Sequence, residues 1–140
     1  MTATIPGPPV PFARPRFDGR SGRAYQDRDY AAWRRGAALV LRAARGPTIA
    51  DGPVSVRVAA YSPRPARRPD WCDRAAWATG EATPAVTRCD LDNVAKAVLD
   101  ACTDAGLWSD DRQVASIDAR QWYAAVGDPP RVVVSVEAVT

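Results

Sequence analysis

Apolar and polar residues alternate with a period of two from Val54 to Ala60, where Val54, Val56, Val58 and Ala60 interleave with Ser55, Arg57 and Ala59. That pattern predicts a half-buried strand. Upstream, Tyr30, Trp33, Ala37, Val40, Leu41 and Ala44 recur at helical spacing, with Asp27 or a neighbour as cap and Gly46-Pro47 as stop. A second helix is expected over about 92–105, where Val94, Val98, Ala101, Cys102 and Ala105 form an apolar stripe and Gly106 takes the left-handed terminating position. Two further strands are expected near 113–124 and 131–138, split by the turn signal Gly127-Asp128-Pro129-Pro130, and a short strand within 2–10 ends in prolines. Residues 11–28 read as a basic loop. Residues 62–87 read as irregular, with room for one helical turn. The order β, α, β, loop, α, β, β predicts an α/β (α+β) chain of one small domain, residues 1–140, with a mixed sheet flanked by two main helices. Trp33, Trp108 and Trp122 fit the element spacing and are expected in the core.

Composition sharpens this picture in three places. The chain has thirteen prolines, near twice average usage, and eight of them gather at Pro6–Pro15 and Pro63–Pro69, marking extended segments rather than element interiors. Three cysteines without CxxC spacing argue against a disulfide framework or a cysteine zinc site. The first residues lack a basic and then apolar leader, and no long uncharged apolar run follows, so a cytoplasmic protein is expected.

Net charge is only +3, but its distribution is uneven. Residues 1–46 carry nine arginines against Asp18, Asp27 and Asp29, whereas residues 90–118 carry seven aspartates against Lys96 and Arg112. An arginine-rich half beside an aspartate-rich segment suits a polyanion held next to a cation-binding pocket. Solvated surface charge explains such asymmetry about as often.

The chemistry concentrates between Arg88 and Asp111. The chain has no histidine, and Lys96 is its single lysine. Asp90 and Asp92 stand two apart just before the second helix, where either is placed to cap it and the helix dipole favours negative charge. Asp92, Lys96 and Asp100 follow at i, i+4 and i+8, read as one exposed line distinct from the apolar stripe. Asp110-Asp111 follow a short loop, and the strand after them can bring one back to the helix start. Oxygen ligands without histidine select a hard cation, and Mg²⁺ uses few carboxylates plus water and substrate phosphate. Such a metal serves phosphodiester cleavage, with a lysine to neutralise the pentacovalent phosphate or protonate the leaving group. Taken singly, each feature has a plainer reading: a chance Asp-x-Asp, a surface ion pair, a turn. A calcium loop fits poorly, because Val94, Ala95 and Lys96 occupy its ligand positions. An aspartyl-phosphate phosphatase would need an apolar strand where Thr87-Arg88-Cys89 stands, and a nucleotide-sugar transferase a longer chain.

The run Arg88-Cys89-Asp90-Leu91-Asp92-Asn93-Val94-Ala95-Lys96 through Trp108-Ser109-Asp110-Asp111-Arg112-Gln113-Val114 closely resembles the signature of RusA-type Holliday junction resolvases. The resemblance is dense over 88–114; elsewhere length and element order agree. It implies a small homodimeric endonuclease, often prophage-encoded, that uses Mg²⁺ (with Mn²⁺ as substitute) to cut four-way DNA junctions symmetrically in recombination and repair. It places Asp90, Asp92 and Asp111 at the catalytic, metal-binding positions and Lys96 at the essential lysine. Asp100, Asp110 and Asn93 fall at supporting motif positions.

Arg14, Arg16, Arg20 and Arg23, then Arg67, Arg68 and Arg88, are natural phosphate ligands. Trp71 and Trp77 lie in the 62–87 loop, to stack on unpaired bases or to pin the loop. Two symmetric cuts call for a two-fold dimer, in which Val54, Val56, Val58, Val132, Val133, Val134 and Val136 either line the interface or fill the core. The rivals are an architectural junction-binding protein with weak or no cleavage, and a metal-dependent nuclease without junction selectivity.

Overall fold

The computed structural model describes residues 1–140. Strand β1 (Thr2–Pro6) leads to a hairpin of β2 (Arg16–Asp18) and β3 (Arg23–Tyr25), then helix α1 (Arg28–Ala44) and strand β4 (Val54–Ser62). A short helix α2 (Arg74–Ala78) and a two-residue strand β5 (Thr83–Pro84) precede helix α3 (Leu91–Asp104). A 3₁₀ turn (Asp111–Gln113) opens into β6 (Val114–Tyr123), and β7 (Arg131–Ala138) closes the chain.

Five strands form one sheet in the order β1-β7-β4-β6-β5. Only the β4–β6 pair is parallel. A parallel pair needs a crossover connection, and the segment carrying α2 and α3 supplies it. The sheet is therefore mixed, with helices on one side, as the element order predicts.

Alternation decides which side. Val54, Val56, Val58 and Ala60 of β4 and Val132, Val134 and Val136 of β7 are each at most 2% exposed. They meet Ala37, Ala38 and Leu41 of α1 and Val94, Val98, Ala101 and Cys102 of α3. Burial in this apolar setting pushes the Cys102 thiol up to about 12, so it behaves as a small hydrophobe. These valines fill the core of a single chain, which removes them as interface residues. Their alternates, including Val133, lie on the open face.

Two expectations need correction. The 11–28 segment is not wholly loop, because β2 and β3 pair in antiparallel register across Gly19–Gly22, and Gly22 takes φ 67° to close the turn. Strands of three residues are too short to register as periodicity. Trp122 is not a core residue. It is half-buried on the open sheet face, lining a hollow of about 350 Å³ with Tyr61, Arg57 and Arg120.

A polar seam joins α1 to α3. Tyr30 is fully buried and donates its hydroxyl to Asp100 at 2.5 Å. Arg34 donates Nε to Asp104 at 2.5 Å and sits 3.7 Å from Asp100. Burial, reinforced by Asp100, raises the Tyr30 phenol well above its ordinary 10.0. With the folded value raised, the stability this group contributes is complete below about pH 10 and is lost as pH climbs towards the folded value. Wild-type stability should therefore fall above about pH 10. Tyr30→Phe should cost about 1–2 kcal/mol at neutral pH and remove that part of the alkaline slope. Urea unfolding at about pH 8 and about pH 11 measures both.

Candidate active site

Asp90 is the N-cap residue of α3, yet its side chain makes no capping hydrogen bond. The helix starts instead on its carbonyl, which accepts from Val94 at 3.0 Å. Asp92 is exposed in the first turn. Neither carboxylate forms a hydrogen bond or ion pair with the protein. Two carboxylates with no partner in the protein are free to ligate a hard cation.

The approach to Asp90 is fixed from the sheet. Gln121 on β6 donates Nε2 to the Cys89 carbonyl at 2.8 Å, and its Oε1 accepts from Thr87 Oγ1 at 2.8 Å. Thr87 Oγ1 in turn receives the Cys89 N–H, and Tyr123 donates its hydroxyl to the Val86 carbonyl at 2.7 Å. Gln121 gave no sequence signal, being one polar residue on an alternating strand.

The approach is fixed again from the N-terminal segment. The Phe12 N–H donates to the Asn93 carbonyl at 2.9 Å, so the contact at Asn93 is made by its main chain. Lys96, exposed one turn beyond Asp92, holds its Nζ 4.6 Å from the Phe12 ring centre, a cation–π contact. Tyr30 meets the same ring edge-on at 5.4 Å.

The expected line of Asp92, Lys96 and Asp100 separates here. At 3.6 residues per turn, Lys96 and Asp100 drift about 40° and 80° around the helix from Asp92. Asp100 thereby turns into the α1 seam, where Tyr30 and Arg34 hold it. Thr103, by contrast, returns to within about 20° of Asp92.

Thr103 identifies the position of Asp111. Asp111 Oδ1 accepts from Thr103 Oγ1 and, at 3.1 Å, from Trp108 Nε1. The side chain thus sits at the C-terminal end of α3. Asp92 and Thr103 are eleven residues apart, about 16 Å of helix rise. The expectation that Asp110 or Asp111 returns to the helix start is not met. Gly106, at φ 71°, turns the chain back at once, and burial of Trp108 anchors the loop beside the last helical turn. Asp110 caps the 3₁₀ turn in a box with Gln113, and the Arg112 guanidinium lowers its pKa to about 2. Within one chain, no three acidic or thiol side chains gather to hold a metal ion. Asp90 and Asp92 suit a hard cation but leave its ligand set incomplete.

Arg14, Arg16, Arg20, Arg23, Arg67 and Arg88 are exposed, and their side chains bind nothing in the protein. The first four follow the anchored Phe12 along the chain, Arg14 two residues beyond it and Arg16, Arg20 and Arg23 on the β2–β3 hairpin. Exposed Phe17 and Tyr25 on that hairpin were not anticipated. Arg68 differs from the other six. Its guanidinium donates to the carbonyls of Pro69 and Cys72, so it clamps the loop instead of waiting for phosphate.

A family model described as Endodeoxyribonuclease RusA matches residues 6–137. The chain is also 32% identical over 140 residues to Uncharacterized protein YqaN of Bacillus subtilis (strain 168), a match covering 98% of this chain and 95% of that protein.

Proposed function

Because this chain belongs to the RusA endodeoxyribonuclease family, we propose that it resolves four-way DNA junctions by paired, metal-assisted phosphodiester hydrolysis, acting as a homodimer whose two subunits share each active site. One observation carries this reading. Free Asp90 and Asp92 lie at one end of an exposed α3 face, Asp111 lies at the other, and Lys96 lies between. A two-fold axis crossing that face pairs it with itself in antiparallel fashion, since such an interface is self-complementary. Asp111 of the partner subunit then arrives beside Asp90 and Asp92, completing at each end what one chain leaves incomplete.

Asp90, Asp92 and the partner subunit's Asp111 would hold Mg²⁺, or Mn²⁺ in its place. Such a cation supplies a hydroxide nucleophile at neutral pH and neutralises charge on the departing oxygen. The chain's own contribution is positional. Gln121 and Thr87 fix the entry to Asp90, while Phe12 holds the Lys96 ammonium one turn above Asp92, available to the phosphate as its charge grows. Arg14, Arg16, Arg20, Arg23, Arg67 and Arg88 bind the flanking phosphates, which positions the DNA without reading its sequence. The whole of 1–140 then works as one endonuclease domain in the cytoplasm, on branched DNA of host or prophage. No helix is long and apolar enough to cross a membrane.

An architectural junction binder would have no use for two unpartnered carboxylates among phosphate-binding arginines, because they repel the backbone. Incubating the protein with a labelled four-way junction and a matched linear duplex, with Mg²⁺ or with EDTA, tests the reading. Symmetric cuts in the junction alone, only with metal, are expected. Binding without cleavage under all conditions would support the architectural role.

Lys96→Arg keeps the charge but replaces a compact ammonium with a planar fork. It should slow cleavage by about 10²-fold, and Lys96→Ala by more, with circular dichroism unchanged. A Lys96→Arg enzyme at wild-type rate would reduce this residue to general electrostatics.

A further inference from the structure

The loop between β4 and β5 is built around one strand-end tyrosine. Tyr123 closes β6, and the edge of Trp77 packs on its ring at 6.4 Å and 84°. Arg64 lies over the other aromatic partner, 3.6 Å from the Trp77 ring centre, and donates to the carbonyls of Trp77 and Glu81 at 2.7 and 3.0 Å. Arg68 gathers the carbonyls of Pro69 and Cys72, Cys72 is buried, and Asp73 caps α2. Trp77, Arg64 and Arg68 therefore account for the loop's own order.

Trp71 is left over from that account. Its ring stacks on Tyr123 at 6.2 Å and 26°, fixed on one side, yet the residue is 52% exposed. Arg67 and Arg74, within four residues of it on the loop, and Arg88, two residues past the Val86 carbonyl that Tyr123 holds, are exposed, and their side chains bind nothing in the protein. Asp70 and Asp73 add local negative charge, but Asp73 is occupied with the α2 cap. Tyr123 stands two strand residues, about 7 Å, from Gln121, which grips the carbonyl next to Asp90. A preset aromatic face is thus tied through Tyr123 and β6 to the segment that leads into Asp90, with unspent guanidinium groups on the same stretches of chain.

A paired base in duplex DNA offers only its edges, because its faces are covered by neighbours. An unpaired base offers a face, and aromatic stacking is how proteins hold one. We propose that Trp71, supported by Tyr123, is a stacking platform for an unpaired nucleobase of branched DNA at the crossover, with Arg67, Arg74 and Arg88 on the adjacent phosphates. This rests on the nuclease reading of the Asp90–Asp92 site. It adds a reason for that nuclease to prefer branched DNA over duplex.

The test is equilibrium binding in EDTA, using a four-way junction with 2-aminopurine at the crossover and a linear duplex of the same sequence. Wild type, Trp71→Ala and Trp71→Phe are compared, each checked by circular dichroism and light scattering. Wild type should quench the 2-aminopurine. Trp71→Ala should restore its emission and weaken junction binding about ten-fold, the loss of one stacked base, with duplex binding unchanged. Trp71→Phe should fall between them. Equal junction affinity and emission for wild type and Trp71→Ala would overturn the platform while leaving the nuclease reading intact. Dissociation of Trp71→Ala to monomers would make the ring a contact between copies and overturn it too. A wild type that neither binds nor, with Mg²⁺, cuts the junction would overturn the nuclease reading itself, and the platform with it.

Discussion

Asp90→Asn and Asp92→Asn should each reduce DNA cleavage by on the order of 10³-fold or more, the scale of removing a group that acts on transition-state charge. The expectation follows from what these carboxylates do not do. Neither makes a hydrogen bond within the fold, and Asp90 does not even cap its own helix. An amide of the same size therefore costs the fold little while removing a negative metal ligand. Junction binding without metal should hold or tighten, since a charge that repels phosphate is gone. A gel-shift in EDTA and a cleavage assay in Mg²⁺ separate the two effects. Wild-type cleavage by either variant would remove that residue from the metal site.

Asp111→Asn should be as damaging, although its carboxylate lies about 16 Å along α3 from Asp92 in the same chain. The amide oxygen of asparagine can still accept from Trp108 Nε1 and Thr103, so the loop should keep its shape and the unfolding midpoint should shift by little. What disappears is the charge. If Asp111 only anchored the Trp108 loop, Asp111→Asn would cut at close to the wild-type rate. A large loss of cleavage with an unchanged unfolding curve means that its carboxylate reaches the reaction.

Sequence periodicity found the elements that bury a continuous apolar face. Helix α1 and strands β4 and β7 fell where expected and α3 began one residue earlier, while β6, with one buried residue in ten, was bounded by the Gly127–Pro130 turn rather than by periodicity. The β2–β3 hairpin escaped because three-residue strands show no period and their aromatic residues stay exposed. Trp122 misled because β6 carries apolar residues on both faces, and only the helices decide which face is core. The Asp-x-Asp before α3, the lone lysine and the Asp-Asp after it were legible as chemistry. Their arrangement was not. Chain order does not say whether a loop returns along a helix or folds back at its end, and here Gly106 and buried Trp108 choose the second. Asp100 shows the same limit on a finer scale. Two turns of helix rotate it away from Asp92 and into the hold of Tyr30, a residue seventy positions away.

Mixed dimers test the shared site most directly. One subunit carries Asp92→Asn and the other Asp111→Asn, each with its own tag, and the heterodimer is isolated by both tags. If each site combines Asp90 and Asp92 with Asp111 of the partner subunit, both substitutions fall in one site and the second site is wild type. The heterodimer should then nick one strand of the junction at about half the wild-type first-cut rate, while both parent homodimers stay inactive. A heterodimer as inactive as its parents, beside a doubly tagged wild type that cuts, would contradict the shared active site.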